Sequence, residues 1–355
     1  MAPKLLPQEV TNMKIGENIF LAPYTTFKIG GKAKFFIEAK HIDDVKDGIK
    51  FAEQKGLPFF ILGGGSNILI SDKGFCGLVI RVSIRGIQRD KNILQIGAGH
   101  NWDNVVAYAV RENLSGIENL SLIPGTIGGA VFQNIGAYGA ELSDVITSVV
   151  ALNTTTGKIE KLSHKECRFG YRKSIFQEHS GELVILKAII RLSPKFKPNL
   201  SYHDIKEYFH NRAVTLSTIR KAVISIRRAK LPYPDTIANA GSFFKNPIIS
   251  NARGITLIKK HPELKQKKAK GGIKLSAGQL IELTKWKGRR IDNVGVSDKH
   301  SLVLVNYNNG TAEEIVNLAR KIQNSVLRRF SVRLEPEVVI LNYKPSRIAT
   351  GTVIF

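Results

Sequence analysis

The period of apolar positions changes several times along the chain, and each change marks an element. Phe35, Phe36 and Ile37 read as a strand, and over 43–55 Val45, Ile49 and Ala52 recur at helical spacing, with Gly56 as a C-terminal stop. The run 58–62 is a short buried strand that leads directly into Gly63-Gly64-Gly65-Ser66-Asn67, and 78–82 is another strand. Together they predict a βαβ-type opening unit. A second unit follows. Residues 93–96 form a strand, and Trp102, Val105, Val106, Ala109 and Val110 mark one helix face. Segments 145–152 and 159–162 flank a turn at 153–157 and predict a hairpin, and 183–192 is a β-branched strand.

Pro194 and Pro198 interrupt the pattern near 195–215, where a boundary is expected. A basic helix runs over 216–228, another helix follows Ser276 as N-cap, and a last helix opens with the capping box Thr311-x-x-Glu314. Ile315, Leu318, Ile322 and Val326 lie on one face of that helix. A final strand is predicted over 332–341. Pro336 cannot donate to a ladder, so this strand should be at an edge or bulged there. The pattern divides the chain into 15–86, 87–212 and 213–345, with no internal repeat.

Composition narrows the class. With 355 residues and 43% hydrophobic content the chain can bury a real core. No apolar run approaches the roughly 20 residues of a membrane span, and the N-terminus has no signal-peptide segment. Cys76 and Cys167 lack metal-ligand spacing and read as reduced thiols of a cytoplasmic protein. The formal charge of +24 is unusual. It thickens at Lys259, Lys260, Lys265, Lys267, Lys268 and Lys270, which read as a solvated loop. No nucleic-acid-binding motif accompanies it, so no nucleic-acid partner is expected. No metal-ligand motif is present either.

Two glycine-rich segments carry the first functional signal. Gly63-Gly64-Gly65 follows a strand directly and could turn several N–H groups toward a phosphate, although a glycine run alone is equally a tight turn. The stretch 124–139 is more telling. It runs Pro124-Gly125-Thr126-Ile127-Gly128-Gly129-Ala130-Val131-Phe132-Gln133-Asn134-Ile135-Gly136-Ala137-Tyr138-Gly139. Glycines mixed with apolar residues suggest backbone packed on a flat, extended ligand, as a diphosphate-linked cofactor requires. Neither a Rossmann fingerprint nor a P-loop fits. Trp102 stands where the third glycine after Gly97 and Gly99 would be, and Gly30-Gly31-Lys32 lacks the P-loop spacing.

With these segments in view the chain resembles the UDP-N-acetylenolpyruvoylglucosamine reductases, bacterial flavoenzymes of the vanillyl-alcohol-oxidase-like superfamily. The resemblance covers about residues 20–342. It rests on 62–67, on 124–139, on Cys167-Arg-Phe-Gly-Tyr-Arg172, on Asn239-Ala-Gly-Ser-Phe-Phe-Lys-Asn-Pro247 and on Leu334-Glu-Pro-Glu337. Tyr202, within Leu200-Ser-Tyr-His-Asp204, matches the tyrosine loop of the family's longer type. The resemblance implies an α+β chain with a two-lobed FAD-binding domain of the PCMH type and a C-terminal substrate-binding domain. It implies non-covalent FAD, held by Gly63, Gly64, Gly65, Ser66, Asn67, Pro124, Gly125, Gly128, Gly129, Asn134, Gly136, Ala137 and Gly139. NADPH reduces the flavin and leaves before a UDP-sugar enters the same site. A cytoplasmic monomer acting in peptidoglycan precursor synthesis is expected.

The implied chemistry delivers hydride to the methylene carbon of an enolpyruvyl ether, so negative charge spreads into the neighbouring carboxylate. Arg172 is the expected electrophile, because a guanidinium grips a carboxylate in a fork. Glu337 is expected beside it as a carboxylic acid donating to the enolate oxygen. Glu335 would share the face of Glu337 on a regular strand, and the motif selects Glu337. Ser242 is the expected proton donor to the α carbon, where position matters more than acidity. Tyr171, Tyr202, Lys230 and Asn246 match positions that bind substrate or nicotinamide, while His300 reads as structural. The alternative is a related flavin oxidase or dehydrogenase acting on a sugar or hydroxy acid. It has no reason to carry the 239–247 and 334–337 motifs.

Overall fold

The computed structural model describes residues 14–341, and the predicted 342–345 end of the third unit lies outside them. The first sheet has the order Gly16–Phe20, Lys32–Ala39, Phe75–Val82, Phe59–Leu62, with the last three strands parallel. Helix Ile42–Gln54 covers it through Val45, Gly48, Ile49 and Ala52, the i, i+3, i+4, i+7 stripe that a helix on a sheet must bury. Asp44 caps its start by accepting from the His41 amide at 2.8 Å.

The second sheet is antiparallel, in the order Ile159–Ser163, Ile146–Asn153, Leu183–Arg191, Ile93–Gly97, Ile87–Asp90. The hairpin predicted around 153–157 forms, with Ser148 opposite Ser163 and Leu152 opposite Ile159. Both sheets share one hydrophobic core with helix Trp102–Arg111 and helix Ile127–Gln133. A second core belongs to the C-terminal part. There the sheet Ala238–Ser242, Val303–Asn306, Val294–Val296, Arg290–Ile291 packs under helix Ala312–Phe330. That helix carries the predicted capping box: Thr311 accepts from the Glu314 amide at 3.1 Å and Glu314 accepts from the Thr311 amide at 2.7 Å. Ser276 likewise caps helix Ala277–Leu283.

Two expectations are corrected. The strand over 332–341 is only Val339–Leu341, which pairs in parallel with Ile68–Ile70. Ahead of it Pro336 makes an isolated bridge to Phe244. The flanking amides do the bonding, Glu337 N to Phe243 O at 2.8 Å and Lys245 N to Glu335 O at 2.9 Å, so the missing proline N–H falls where no bond is needed. The lysines of 259–270 are not one solvated loop. Lys259 and Lys260 close helix Asn251–Lys260, where positive charge suits the helix C-terminus, and Lys267 and Lys268 lie on strand Gln266–Ala269. That strand pairs with Gly272–Leu275 in a hairpin that walls the cleft described next.

Candidate active site

The two glycine-rich segments meet. A Cβ on Gly64 would stand 2.7 Å from the Cα of Gly125, so neither loop can carry a side chain there. Gly65 has φ +64°, and a Cβ on it would collide with the Tyr24 carbonyl. Ser66 Oγ donates to Pro124 O at 3.1 Å and holds the pair together. Beside them lies a cleft of about 1190 Å³, larger than the roughly 300–1,000 Å³ of most ligand sites. Thr126 Oγ1, between the loops, is buried without a hydrogen-bond partner. A side-chain-free cradle with an unsatisfied hydroxyl and apolar walls such as Ile61, Phe132 and Ile185 fits a diphosphate-linked flavin.

Every cofactor residue expected from the sequence lines this cleft except Asn134. Asn134 is 1% exposed and left-handed, at φ +42°, where it ends helix Ile127–Gln133. Its amide donates to Glu141 and to Gly170 O, both at 3.0 Å, and its Oδ1 accepts from Ser143 N at 2.9 Å. It therefore fastens the loop from behind.

Arg172 is also left-handed, at φ +52°, in the tight turn 170–173. Its Nε donates to Glu337 Oε1 at 2.7 Å, its Nη2 to Gly136 O at 2.8 Å and its Nη1 to Asn134 O at 3.4 Å. The guanidinium thus ties the glycine segment to the C-terminal end of the chain. Asn67 does the same from the other loop. Its amide donates to Glu337 O at 3.1 Å, and its own carbonyl accepts from Val339 N at 3.1 Å. In this arrangement Glu337 accepts from Arg172 through Oε1, and among the described residues no hydrogen bond engages its Oε2. Glu335 is exposed and makes no side-chain contact with Arg172.

Ser242 reaches the same cleft through a bulge. The ladder to Val303–Asn306 is interrupted between Asn239 and Ser242, Gly241 takes φ +69°, and its amide donates to Asn239 Oδ1 at 2.9 Å. A bulge re-aims the residue that follows it. Phe243 and Phe244 then plunge into the core, which fixes Ser242 at the cleft edge. Because Phe243 O binds the Glu337 amide, the two candidate residues are held one peptide apart across the chain pairing.

Tyr171, Tyr202, Lys230 and Asn246 line the cleft as well. Asn246 Oδ1 accepts from Ala277 N at 2.9 Å and its amide lies 3.5 Å from the Tyr171 hydroxyl. Lys230 pairs with Asp204 at 2.6 Å, and Tyr202 stands edge-on to Tyr138. The sequence reading missed several cationic neighbours: Arg227, Lys267 and Lys274 all face the cleft, with the Lys274 ammonium 3.3 Å from the Tyr171 ring centre. For Lys267 the lysine run was the available signal, but only the hairpin pairing turns it inward. His300, set aside as structural, also lines the cleft. Burial and nearby Lys287 hold it below the usual histidine range, and its Nδ1 accepts from Leu302 N, which leaves the proton on Nε2.

Among the described residues one group, His203, Asp204 and Glu207, brings ligand atoms within 4.8 Å of one another. Its members already have partners, Asp204 with Lys230 at 2.6 Å and His203 with Glu207 at 3.2 Å.

Comparison with known proteins agrees with this geometry. Residues 33–163 match a family described as FAD binding domain, and residues 232–341 match UDP-N-acetylenolpyruvoylglucosamine reductase, C-terminal domain. A UDP-N-acetylenolpyruvoylglucosamine reductase of Amoebophilus asiaticus is 44% identical over 341 residues, 93% of this chain and 100% of that one. Its counterpart in Pseudomonas aeruginosa is 38% identical over 335 residues, 92% of this chain and 98% of that one. The crystal structure of the Thermus caldophilus UDP-N-acetylenolpyruvylglucosamine reductase superposes with a TM-score of 0.67 at 26% identity, covering 93% of this chain and 99% of that chain. The 6-hydroxy-D-nicotine oxidase of Arthrobacter nicotinovorans shares the fold at a TM-score of 0.54 and 13% identity, over 91% of this chain and 88% of that one. Fold and site define an FAD-dependent oxidoreductase with an α+β, two-part architecture. The chain belongs to the UDP-N-acetylenolpyruvoylglucosamine reductase family.

Proposed function

We propose that the chain reduces UDP-N-acetylglucosamine enolpyruvate to UDP-N-acetylmuramate with NADPH as hydride donor, in the cytoplasmic synthesis of peptidoglycan precursors. The division at 15–86, 87–212 and 213–345 belongs to the same reading, with the third part taking the sugar nucleotide. One observation carries the proposal: Arg172, Glu337 and Ser242 come from three distant segments to one cleft that two glycine loops prepare for FAD.

Bound FAD would accept hydride from NADPH and pass it to the methylene carbon of the substrate. The residues of the chain do the rest. Arg172, already turned into the cleft, offers fixed positive charge to the substrate carboxylate, where it is worth most as negative charge develops in the transition state. Glu337 holds the Nε side of the guanidinium, and once protonated it offers an O–H to the same enolate. Ser242 gives its hydroxyl proton to the α carbon and is reprotonated from solvent. The carbon–carbon double bond is lost, one hydride and one proton are gained, and a lactyl ether results. Lys230, Tyr202, Tyr171 and Asn246 line the cleft and would take the substrate or the nicotinamide, and nearby Lys267 and Lys274 add positive charge along the same wall.

The test separates two half-reactions. Purified protein should be yellow, NADPH should bleach its flavin without any sugar present, and the enolpyruvyl UDP-sugar should restore the colour in a single turnover. Bleaching by NADPH with no reoxidation by this substrate, but reoxidation by oxygen with a sugar or hydroxy acid as the electron source, would favour the oxidase alternative.

A further inference from the structure

Helix Asn251–Lys260 and the hairpin of strands Gln266–Ala269 and Gly272–Leu275 form a face that the proposed reaction does not use. Strand register sorts the side chains. Lys267 pairs with Lys274 and both face the cleft, whereas Lys268 pairs with Ile273 one step along and so points to the opposite side. On that side the helix lies over Ile273. A Cβ on Gly254 would come within 2.6 Å of the Ile273 side chain, so glycine is what lets the helix approach so closely. The helix hides little else. Gly254 is its one buried residue, and Ala252, Ile255 and Lys259, at i, i+3 and i+7, make an outer stripe on which Ile255 is 54% exposed.

One exposed isoleucine is ordinary on a protein surface. Its setting here is not. Residues 251–270 carry seven lysines and arginines against one carboxylate, Glu263, and the His261 ring already lies 3.3 Å from that carboxylate. Lys259, Lys260, Lys268 and Lys270 are exposed and lie outside the cleft lining. A ten-residue helix is also shorter than the roughly 12–15 residues at which an isolated helix becomes even marginal, and the Ser250 side chain does not cap its start. It is held from its ends. Arg253 donates to Ser331 O at 2.7 Å, and the His261 ring stands edge-on to Phe330 at 4.8 Å. These contacts fix the direction of the outer stripe and leave it facing solvent.

An apolar crest ringed by lysines suits one kind of partner. Isoleucine can enter the acyl boundary of a bilayer, while lysine stems lie along it and put their ammonium groups among anionic headgroups. A nucleic acid would use the lysines but not the isoleucine, and the stripe carries no aromatic ring on which bases could stack. We propose that helix Asn251–Lys260 and the back of the adjoining hairpin dock on an anionic lipid bilayer, with Ile255 inserted and Lys259, Lys260, Lys268 and Lys270 on the headgroups. Lys267 and Lys274 point the other way, so the docked face is not the cleft face. The surface is independent of the reaction assigned to the cleft, and failure of either reading leaves the other untouched.

The experiment sediments the FAD-loaded full chain with vesicles of phosphatidylglycerol and phosphatidylcholine in equal parts, and with vesicles of phosphatidylcholine alone. Salt is held at about 0.15 M, where exposed charges more than roughly 8 Å apart are largely screened. The wild type is expected to bind the anionic vesicles about tenfold or more tighter than the neutral ones. A lysine near such a surface is worth about fivefold, so K259E/K260E/K268E/K270E should weaken binding by about 100-fold or more. I255S should weaken it by about threefold to tenfold at unchanged charge. K50E/K55E/K158E/K161E removes the same charge from exposed lysines elsewhere and should stay within about threefold of wild type. All three variants should keep their flavin, since none of these residues lines the cleft. Equal loss in the two quadruple variants would mean diffuse attraction and overturn the proposal. So would I255S at wild-type affinity, no preference for the anionic vesicles, or a single-stranded oligonucleotide that displaces the vesicles through the same lysines. Should the four-lysine variant lose its flavin, I255S decides alone.

Discussion

Arg172 donates through Nε to Oε1 of Glu337 at 2.7 Å, and 165 positions of sequence separate the two. Both side chains are mostly shielded, 19% and 15% exposed, so the pair works at a lower dielectric than a surface bridge would. R172K keeps the charge and loses the fork. Turnover of the enolpyruvyl substrate is expected to fall by about 10²–10³, with the flavin spectrum and bleaching by NADPH retained. Stopped-flow measurement of the two half-reactions checks this. Equal loss of both would assign Arg172 to binding or folding.

Glu337→Ala should likewise spare flavin reduction and block reoxidation by the UDP-linked substrate. Removing the carboxylate leaves Arg172 with Gly136 O and Asn134 O as its remaining partners. The same stopped-flow traces decide, and a variant that reoxidises at the wild-type rate removes Glu337 from the chemistry.

Ser242→Ala deletes one hydroxyl at a bulge whose backbone is fixed by Gly241 and Asn239. Flavin reduction should be unchanged and substrate reduction slowed by about 10²–10⁴, the usual contribution of a positioned general acid. If both half-reactions survive, the proton comes from elsewhere.

Gly64→Ala places a methyl 2.7 Å from the Gly125 Cα, against backbone that cannot rotate away. The loops must part, at a strain of about 1–3 kcal/mol. FAD affinity should drop and the purified variant should be pale, with far-ultraviolet circular dichroism unchanged. A fully yellow variant would show that the two loops are not the cradle.

Asp103 joins Arg220 to the Leu122 amide. Burial pushes its carboxyl up, but the Arg220 fork and the amide outweigh this and hold it below the usual carboxylate range. A lowered value means the stabilisation is present above the unfolded-state pKa and is lost as pH falls through the folded-state value. Asp103→Ala should cost about 2 kcal/mol near neutrality, the side chain being 24% exposed, and less in acid. Urea unfolding at pH 7 and pH 3 measures the gap. A gap equal at both values would show that the contact is not ionic.

The two thiols should differ. Cys76 is exposed, whereas Cys167 is buried and its thiol is pushed up to about 12, chiefly by burial with Glu166 adding to it. A thiol reagent should titrate one cysteine in the native protein and both after denaturation. Rapid native reaction at both would place Cys167 in a mobile part of the molecule.

Helix Ile42–Gln54, the hairpin around 153–157 and the capping box at Thr311 could be read from the chain because each is decided within a dozen residues. Apolar period, cap and turn chemistry act locally. The glycine segments were legible for the same reason, and the motifs around Arg172, Ser242 and Glu337 named their residues. The neighbours of those residues were not legible. Pro336 spoke for an irregular strand, but only the partner Phe244 shows where its missing N–H does no harm. Asn134 looked like its cleft-facing neighbours, and a left-handed cap turned it away. Lys267 read as solvated charge until a hairpin aimed it, with Lys274, at the cleft.

The sequence alone determined most of the elements and the glycine-rich backbone suited to a diphosphate-linked cofactor, and its motifs singled out three candidate side chains. The tertiary structure decided that they meet. Val339–Leu341 returns to pair with Ile68–Ile70, a bulge turns Ser242 outward, and Arg172 spans the gap. Such contacts depend on loop closure over hundreds of residues and on the shape of two packed cores, and no local pattern of side chains encodes those.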